Sequence, residues 1–428
     1  MSKAVVTPAN KFSLSISTIA PDKSISHRSV MFAMLADGTS TIENFLRAED
    51  TMNSLEIVKN LGASVVDDGK IIQISSDGIK ESFEILDCGN SGTGMRLFCG
   101  LLSSANGHFV LTGDKYLRSR PMKRVTSPLK AIGAKLDGRK DGDLAPLSIR
   151  GAALEAFHYE SPIASAQVKS CMILAALRAN GVCTFTEPEL SRDHTERMLQ
   201  GMGAEIKVEG LTTTITPMKS LLSPLHIRVP SDPSSAFFFA VAAAITEGSD
   251  IVLEGITLNP TRIEAFKVLE KMGADISYEL IEDKYEPIGN IHVKYAPLKG
   301  VCVTENISWL IDELPALSIA MATAEGESEV RNAEELRVKE SDRISTVVTG
   351  LQSCGIEVFE YEDGYKIIGG KLSRAHIESD GDHRIAMSFL IAGVKCGMEV
   401  NDLECINTSF PNFFELLQKI TKIDFSGE

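Results

Sequence analysis

A chain that returns to one sequence pattern six times has to build six copies of one structural unit and bury them against each other. Two signals recur along these 428 residues. The first is an apolar stretch rich in Ala, Leu and Met that ends in glycine: SHRSVMFAMLADG, MRLFCGLLSSANG, VKSCMILAALRANG, SSAFFFAVAAAITEG, PALSIAMATAEG and RIAMSFLIAGVKCG. Their closing glycines (Gly38, Gly107, Gly181, Gly248, Gly326, Gly397) lie 69, 74, 67, 78 and 71 residues apart. These read as six buried helices, each with glycine at its C′ position. The second signal is an amphipathic stretch ending in a Gly-Ala-like pair, with Gly62, Gly133, Gly203, Gly273 and Gly355 spaced by 71, 70, 70 and 82 residues. FFELLQKITKIDF near the end of the chain stands where a sixth copy belongs. Short β-branched runs such as HFVLTG and TTTITP separate the helices and read as strands.

The unit is therefore about 71 residues, since 428/6 is close to 71, with two helices and several strands. Solenoid repeats are usually shorter, about 20 to 50 residues. Units with one almost wholly apolar helix each should instead cluster those helices in shared cores. Three units per core gives two domains of roughly 200 residues, an ordinary domain size.

The formal net charge is −15, which argues against nucleic acid or an anionic lipid surface as partner, because either would be repelled over most of the molecule. The longest apolar runs, such as 236–245, reach about half of the ~20 residues that span a bilayer. The start, MSKAVVTPANKF, has no apolar signal core. The eight cysteines show no CxxC or CxxH spacing and read as buried thiols of a reducing cytoplasm.

What precedes each apolar stretch is informative. In order these segments are Asp22-Lys23-Ser24, Asn90-Ser91-Gly92-Thr93, Ser165-Ala166-Gln167, Asp232-Pro233-Ser234-Ser235, Asp312-Glu313 and 380–384 (DGDHR). Taken singly, their Ser, Asp and Asn residues are helix N-caps. Taken together, six equivalent units aim several helix N-termini the same way, and these are anion sites. The amphipathic stretches open on charges too: Arg47, Arg118, Arg120, Arg192, Arg262 and the run Lys339-Glu340-Ser341-Asp342-Arg343. Arginine at a helix N-terminus is opposed by the dipole. Lys339 and Arg343 are expected four apart on one helical face, a pairing that suits phosphate or carboxylate. The plain alternative is that each arginine pairs with a neighbouring acid, Arg343 with Glu340 or Asp342.

GNSGTG lacks the GxxxxGK[ST] spacing of a nucleotide P-loop. His194 and His383 have no metal-ligand context. No Gly-x-Ser-x-Gly elbow is present. What is left is a set of basic residues with the carboxylates Asp312, Glu313 and Glu340, suited to acid–base chemistry on a small, multiply anionic substrate.

The segments DKSISHR (22–28), GNSGTGMR (89–96), LRSRPMK (117–123), SAQVKS (165–170), SRDHTE (191–196), DPSSA (232–236), IDELP (311–315), LRVKESDR (336–343) and DGDHRIAM (380–387) resemble, in order and along essentially the whole chain, the 5-enolpyruvylshikimate-3-phosphate synthase family. The resemblance implies an α/β fold, a two-domain inside-out α/β barrel in which each domain repeats a βαβαββ unit three times. One domain would hold 1–20 and 230–428 and the other 21–229, with the active site in the cleft between them. It implies transfer of the enolpyruvyl group of phosphoenolpyruvate to the 5-hydroxyl of shikimate 3-phosphate with release of phosphate, without metal or organic cofactor, in a cytoplasmic monomer.

Carried over residue by residue, the resemblance assigns shikimate 3-phosphate to Lys23, Ser24, Arg28, Ser165, Ala166, Gln167, Ser191, Arg192, Asp312 and Lys339. It assigns phosphoenolpyruvate to Lys23, Gly92, Arg120, Gln167, Arg343, His383 and Arg384. Asp312 resembles the base toward the hydroxyl, Glu340 the proton donor to the methylene carbon, and Lys23 a third catalytic group. The chain departs from the family pattern at Thr408, where some members carry lysine, at Ala166, where others have a second serine, and at Gly94, where many have alanine. Two other readings compete. One is the sister enzyme acting on UDP-N-acetylglucosamine, whose mobile loop carries a reactive cysteine that no cysteine near Arg120 matches. The other is a non-catalytic shikimate-phosphate binder, which would gain nothing from retaining Asp312 and Glu340.

Overall fold

A computed structural model describes residues 3–283 and 285–426. The six apolar stretches are helices: Lys23–Ala33, Gly92–Leu102, Ala166–Ala176, Pro233–Ile245, Leu314–Thr323 and His383–Cys396. Nearly every residue in them is buried, and in Pro233–Ile245 every one is. A helix apolar on all sides has to sit inside a core, and these six occupy the centres of their units. The amphipathic stretches are the helices Glu49–Asn60, Lys123–Ala131, His194–Gly201, Glu264–Lys271, Arg343–Ser353 and Phe413–Leu417, each with one buried face.

Among the described residues the strands form six four-stranded sheets. In one of them Leu86–Asp87 pairs parallel with His108–Thr112, which pairs antiparallel with Leu144–Arg150, which pairs antiparallel with Lys135–Gly138. The parallel pair needs a crossover, supplied by the helix Gly92–Leu102, whereas the last two strands close as a hairpin. The same order recurs in every sheet, so the threefold βαβαββ repeat that the resemblance implies is the observed fold. Strand burial alternates along the chain, with one face of each sheet on the helices.

Three sheets borrow a strand from far along the chain. His226–Arg228 pairs parallel with Thr39–Glu43, Ser13–Ile16 pairs parallel with Asp250–Thr257, and Lys3–Val6 lies between Met398–Asn401 and Ile423–Ser426. The chain divides into two compact units: 3–20, 230–283 and 287–426 in one, 21–229 with 285–286 in the other. In the second unit the helices Gly92–Leu102 and Ala166–Ala176 approach so closely that a Cβ on Gly100 would lie 2.1 Å from the Cys171 carbonyl oxygen.

The two sets of glycines exchange roles relative to the sequence expectation. Of the glycines that close the apolar stretches, only Gly397 caps its helix. Gly38, Gly107 and Gly326 directly precede strands, beyond the helix end, and so turn the chain into the sheet. The true C′ glycines belong to the amphipathic helices. Gly62, Gly133, Gly203, Gly273 and Gly355 all have positive φ and follow the C-cap. In the first of these motifs Ala63 N–H donates to the Val58 carbonyl at 3.1 Å and Gly62 N–H to Lys59 at 2.9 Å, the paired bonds of a Schellman motif.

Candidate active site

Within the 21–229 unit, the first turns of the three buried helices meet. His27 lies between Ser54 Oγ (2.8 Å from Nδ1) and Ser91 Oγ (3.2 Å from Nε2). Ser91 caps the next helix by accepting from Gly94 N–H at 2.9 Å. From the third helix Gln167 Nε2 donates to Thr93 Oγ1 at 2.9 Å, and its Oε1 accepts from Arg96 Nη1. Three helix N-termini thereby face one locality, where N–H groups and dipoles favour negative charge. Burial, reinforced by Lys23 and Arg28, pushes the His27 pKa well down, so the ring is neutral and donates from one nitrogen while accepting at the other.

The basic residues gather at the same turns. Lys23 Nζ is 2.5 Å from Asp50 Oδ2. Arg28, buried, donates from Nε to Thr195 Oγ1 (2.8 Å), from Nη1 to the Ser24 carbonyl (3.0 Å) and from Nη2 to Ser170 Oγ (2.8 Å). Arg120 reaches Asn90 through its carbonyl at 3.3 Å and its Oδ1 at 2.8 Å. A Cβ on Gly92 would lie 3.2 Å from Arg96 Nη1 and 3.4 Å from Arg120 Nη1. Glycine at 92 thus leaves room for two guanidinium groups beside the positive end of a helix. That juxtaposition is repulsive until an anion joins it. Ser165 is the N-cap of the third helix without a side-chain cap bond, and Ala166 opens that helix. Ser191 is buried and donates its hydroxyl to Glu187 Oε2 at 2.6 Å; Arg192 follows it, half-buried. His194 is buried against Glu286, 2.6 Å away.

In the other unit Arg343, fully buried, is the hub. It donates from Nε to Asp382 Oδ2 (2.8 Å), from Nη2 to Glu340 Oε2 (2.6 Å) and to Asp382 Oδ1 (3.3 Å), and from Nη1 to Asp312 Oδ1 (3.5 Å). Burial opposes its charge, but Asp382, Glu340 and Asp312 outweigh that and raise its pKa. Asp382 is itself the N-cap of His383–Cys396, accepting from Arg384 N–H at 2.8 Å. Asp382 is wholly buried, whereas the Asp312 and Glu340 side chains keep 25% and 27% of their surface exposed. Two carboxylates that a substrate can reach therefore share one arginine. Arg384 is buried with its guanidinium 5.9 Å from the Phe238 ring centroid, and its Nε has no hydrogen-bond partner. His383 is the first residue of that helix and is buried.

Four sequence expectations change. Lys339 does not share a helical face with Arg343: the helix begins at Arg343, and Lys339 is extended (φ −83°, ψ −151°) after a short 3₁₀ turn, because Asp342 caps the helix and stops it running further back. Lys339 lies 3.6 Å from Glu335. Burial lowers its pKa, and Glu335, Asp312 and Glu340 offset this only in part. Arg343 pairs with Glu340, as the plain alternative allowed, but not with Asp342, which bonds Arg337 at 2.8 Å. Glu313 is fully buried and accepts from Ser234 Oγ, and Arg262 is held by Asp232 and Ser234. Both belong to the buried scaffold beneath the helix N-termini. Thr408 donates its hydroxyl to the Cys405 carbonyl at 2.7 Å.

The residues to which sequence reasoning gave no role are mainly partners: Asp50, Arg96, Ser170 and Thr195, while Asn90 and Asp382 were read only as helix caps. Of the first four, Arg96 carried a signal, one helical turn after Gly92. Among the described residues, no group of three or more His, Cys, Asp or Glu is placed to hold a metal ion, and no helix is long and apolar enough to cross a membrane.

The family model for EPSP synthase (3-phosphoshikimate 1-carboxyvinyltransferase) matches residues 6–417. The 3-phosphoshikimate 1-carboxyvinyltransferase of Sulfurimonas denitrificans is 76% identical over 427 residues, covering 100% of both chains. That of Nitratiruptor is 65% identical over 430 residues, covering 99% of each. A solved structure of EPSP synthase from Acinetobacter baumannii superposes with a TM-score of 0.89 at 41% identity, covering 100% of both chains. The repeated fold, the ordered motifs and these similarities agree, and the chain belongs to the EPSP synthase (3-phosphoshikimate 1-carboxyvinyltransferase) family.

Proposed function

We propose that this chain transfers the enolpyruvyl group of phosphoenolpyruvate to the 5-hydroxyl of shikimate 3-phosphate. The observation that carries the reading, beside family membership, is the pair Asp312 and Glu340 held on Arg343. Binding two anions calls only for cations. Two accessible carboxylates among them serve a reaction that moves protons, which favours catalysis over a binder.

The reaction has two halves. In addition, the substrate hydroxyl attacks C2 of phosphoenolpyruvate; Asp312 takes the hydroxyl proton and Glu340 delivers one to the methylene carbon, which becomes a methyl. The new centre carries carboxylate, phosphate, methyl and the alkoxy group. In elimination, Glu340 takes a proton back from the methyl, the C–O bond to phosphate breaks, and inorganic phosphate leaves with the proton that Asp312 had taken, forming the enol ether. Lys23, Arg120, Lys339, Arg343 and Arg384 stabilise the negative charge that both halves gather on phosphate and carboxylate, with Lys23 also near the transferred proton. Ser24, Arg28, Ser165, Ala166, Gln167, Ser191 and Arg192 hold shikimate 3-phosphate, and Gly92 and His383 complete the phosphoenolpyruvate site.

The proposal includes exclusion of water as a competing nucleophile while the substrates react. We place the enzyme in the cytoplasm as a monomer. All eight cysteines are thiols, the state that a reducing compartment maintains. The test is phosphate release from phosphoenolpyruvate in EDTA with each acceptor. Turnover with shikimate 3-phosphate and none with UDP-N-acetylglucosamine is expected, and the reverse pattern overturns the reading.

A further inference from the structure

Beneath the 165–192 region lies a charged cluster that the reaction does not use. Lys169 is 1% exposed. Its ammonium is 2.7 Å from Glu187 Oε1, 2.8 Å from Glu196 Oε1 and 3.2 Å from the Ser191 carbonyl oxygen, to which it donates. Glu187 and Glu196 are equally buried. The second oxygen of Glu187 accepts the Ser191 hydroxyl at 2.6 Å. One cation thus answers two buried carboxylates. Burial works against the ammonium, but Glu196 and Glu187 more than offset it and keep Lys169 protonated, while Glu196, dominated by its own burial, is shifted upward.

Such a triad is an expensive way to fill space, because desolvating the ions can exceed what their attraction returns and apolar residues of equal volume often pack as well. What it provides is geometry. Lys169 sits two residues after Gln167 on one helix, Glu196 sits on the next helix, and Glu187 and Ser191 flank the corner between strand and helix. The adjacent pair runs in parallel: Ser170 and Thr195 bond each other at 2.7 Å and both bond Arg28. Two rungs, one ionic and one of hydroxyls, tie the helix that starts at Ala166 to the helix that starts at His194. Ser191 is gripped at both of its polar ends, its carbonyl by Lys169 and its hydroxyl proton by Glu187.

We infer that Lys169 is a positioning residue for the shikimate 3-phosphate site, acting through Glu187 on Ser191 and through Glu196 on the helix that holds Arg28. This rests on the function proposed above. It touches no substrate, and its effect falls on one substrate only.

The experiment compares K169M, K169M/E196Q and E187Q with the parent chain, measuring the Michaelis constant for each substrate, kcat and the melting temperature. K169M should raise the Michaelis constant for shikimate 3-phosphate about tenfold, the scale of one weakened hydrogen bond to the substrate, with that for phosphoenolpyruvate within about twofold. E187Q should move the same constant in the same direction. The double variant removes one of the two carboxylates that K169M leaves buried without a cation, so it should recover part of the melting temperature lost in K169M while keeping the raised constant. Recovery of both together, or equal shifts for the two substrates, overturns the inference and reduces Lys169 to a structural ion pair. Failure of the proposed function itself would look different: the parent chain would not turn over shikimate 3-phosphate at all.

Discussion

Arg343 shows how one residue serves two readings that look exclusive in the sequence. It is paired with three acids, as a structural arginine would be, and two of them, Asp312 and Glu340, are the ones proposed to move protons. Asp312→Asn keeps the shape and removes the base. Turnover should fall by about 10² to 10⁴ with the Michaelis constants changed only a few-fold, and steady-state kinetics retaining near-parental kcat would take Asp312 out of the role. His27 makes a prediction about stability. Its folded-state pKa is depressed by burial, so below the unfolded value of about 6.5 only the unfolded chain takes up the proton. The contribution to stability is therefore whole above that pH and is lost as pH falls. One proton is worth about 1.4 kcal/mol per pH unit. Urea unfolding of His27→Gln should show a stability slope between about pH 6 and 5 that is shallower by up to that amount; an unchanged slope would mean that His27 is protonated in the fold. At this scale the motif residues were legible because their charges repeat at unit starts. The pairings of Lys169, Glu187 and Asp382 were not, because nothing local to a sequence says which buried acid meets which base. Glu313 misled for the same reason: it adjoins Asp312 in the sequence, and only burial against Ser234 separates their roles.

Elements were legible through period and propensity. All twelve expected helices form, and the Gly-Ala pairs that mark the amphipathic set are the paired bonds of their C-terminal caps. The error lay in giving the same role to the other glycines, since a glycine after an apolar helix and a glycine before a strand look alike in sequence. The start of Arg343–Ser353 was also misjudged by one turn, because Lys339, Glu340 and Asp342 all suit a first turn and the Asp342 cap decides. Two glycine variants separate backbone strain from packing. In Gly133→Ala the new Cβ has room, 3.4 Å from the Ala153 carbonyl oxygen, so the cost is that of holding an L-residue at φ +96°, about 1 to 2 kcal/mol. In Gly100→Ala the Cβ meets the Cys171 backbone between two core helices, and the loss should exceed that clearly, by the overpacking route. Denaturant midpoints check the order, and equal losses would contradict the helix contact described here.

Across the whole molecule, the repeat arithmetic set out six units of about 71 residues, each with one buried helix, and the described residues build them as six sheets divided between two compact units. What it did not show is that three sheets are completed by strands remote in sequence, since a three-residue or four-residue strand such as His226–Arg228 carries too little pattern to reveal its partner. The acidic total of −15 coexists with cations gathered at helix N-termini in each unit, because net charge governs encounters with polyanions while local charge governs small ones. The central claim is enolpyruvyl transfer by addition and elimination, with a proton placed on the methylene carbon and one removed again. Running the reaction with phosphoenolpyruvate and shikimate 3-phosphate in D₂O, and reading the product by proton NMR, tests it most directly. The account predicts an enol ether carrying deuterium in its vinyl methylene, formed together with one equivalent of inorganic phosphate, with both lost in Glu340→Gln. A coupled product free of deuterium, or no coupled product at all, would contradict it.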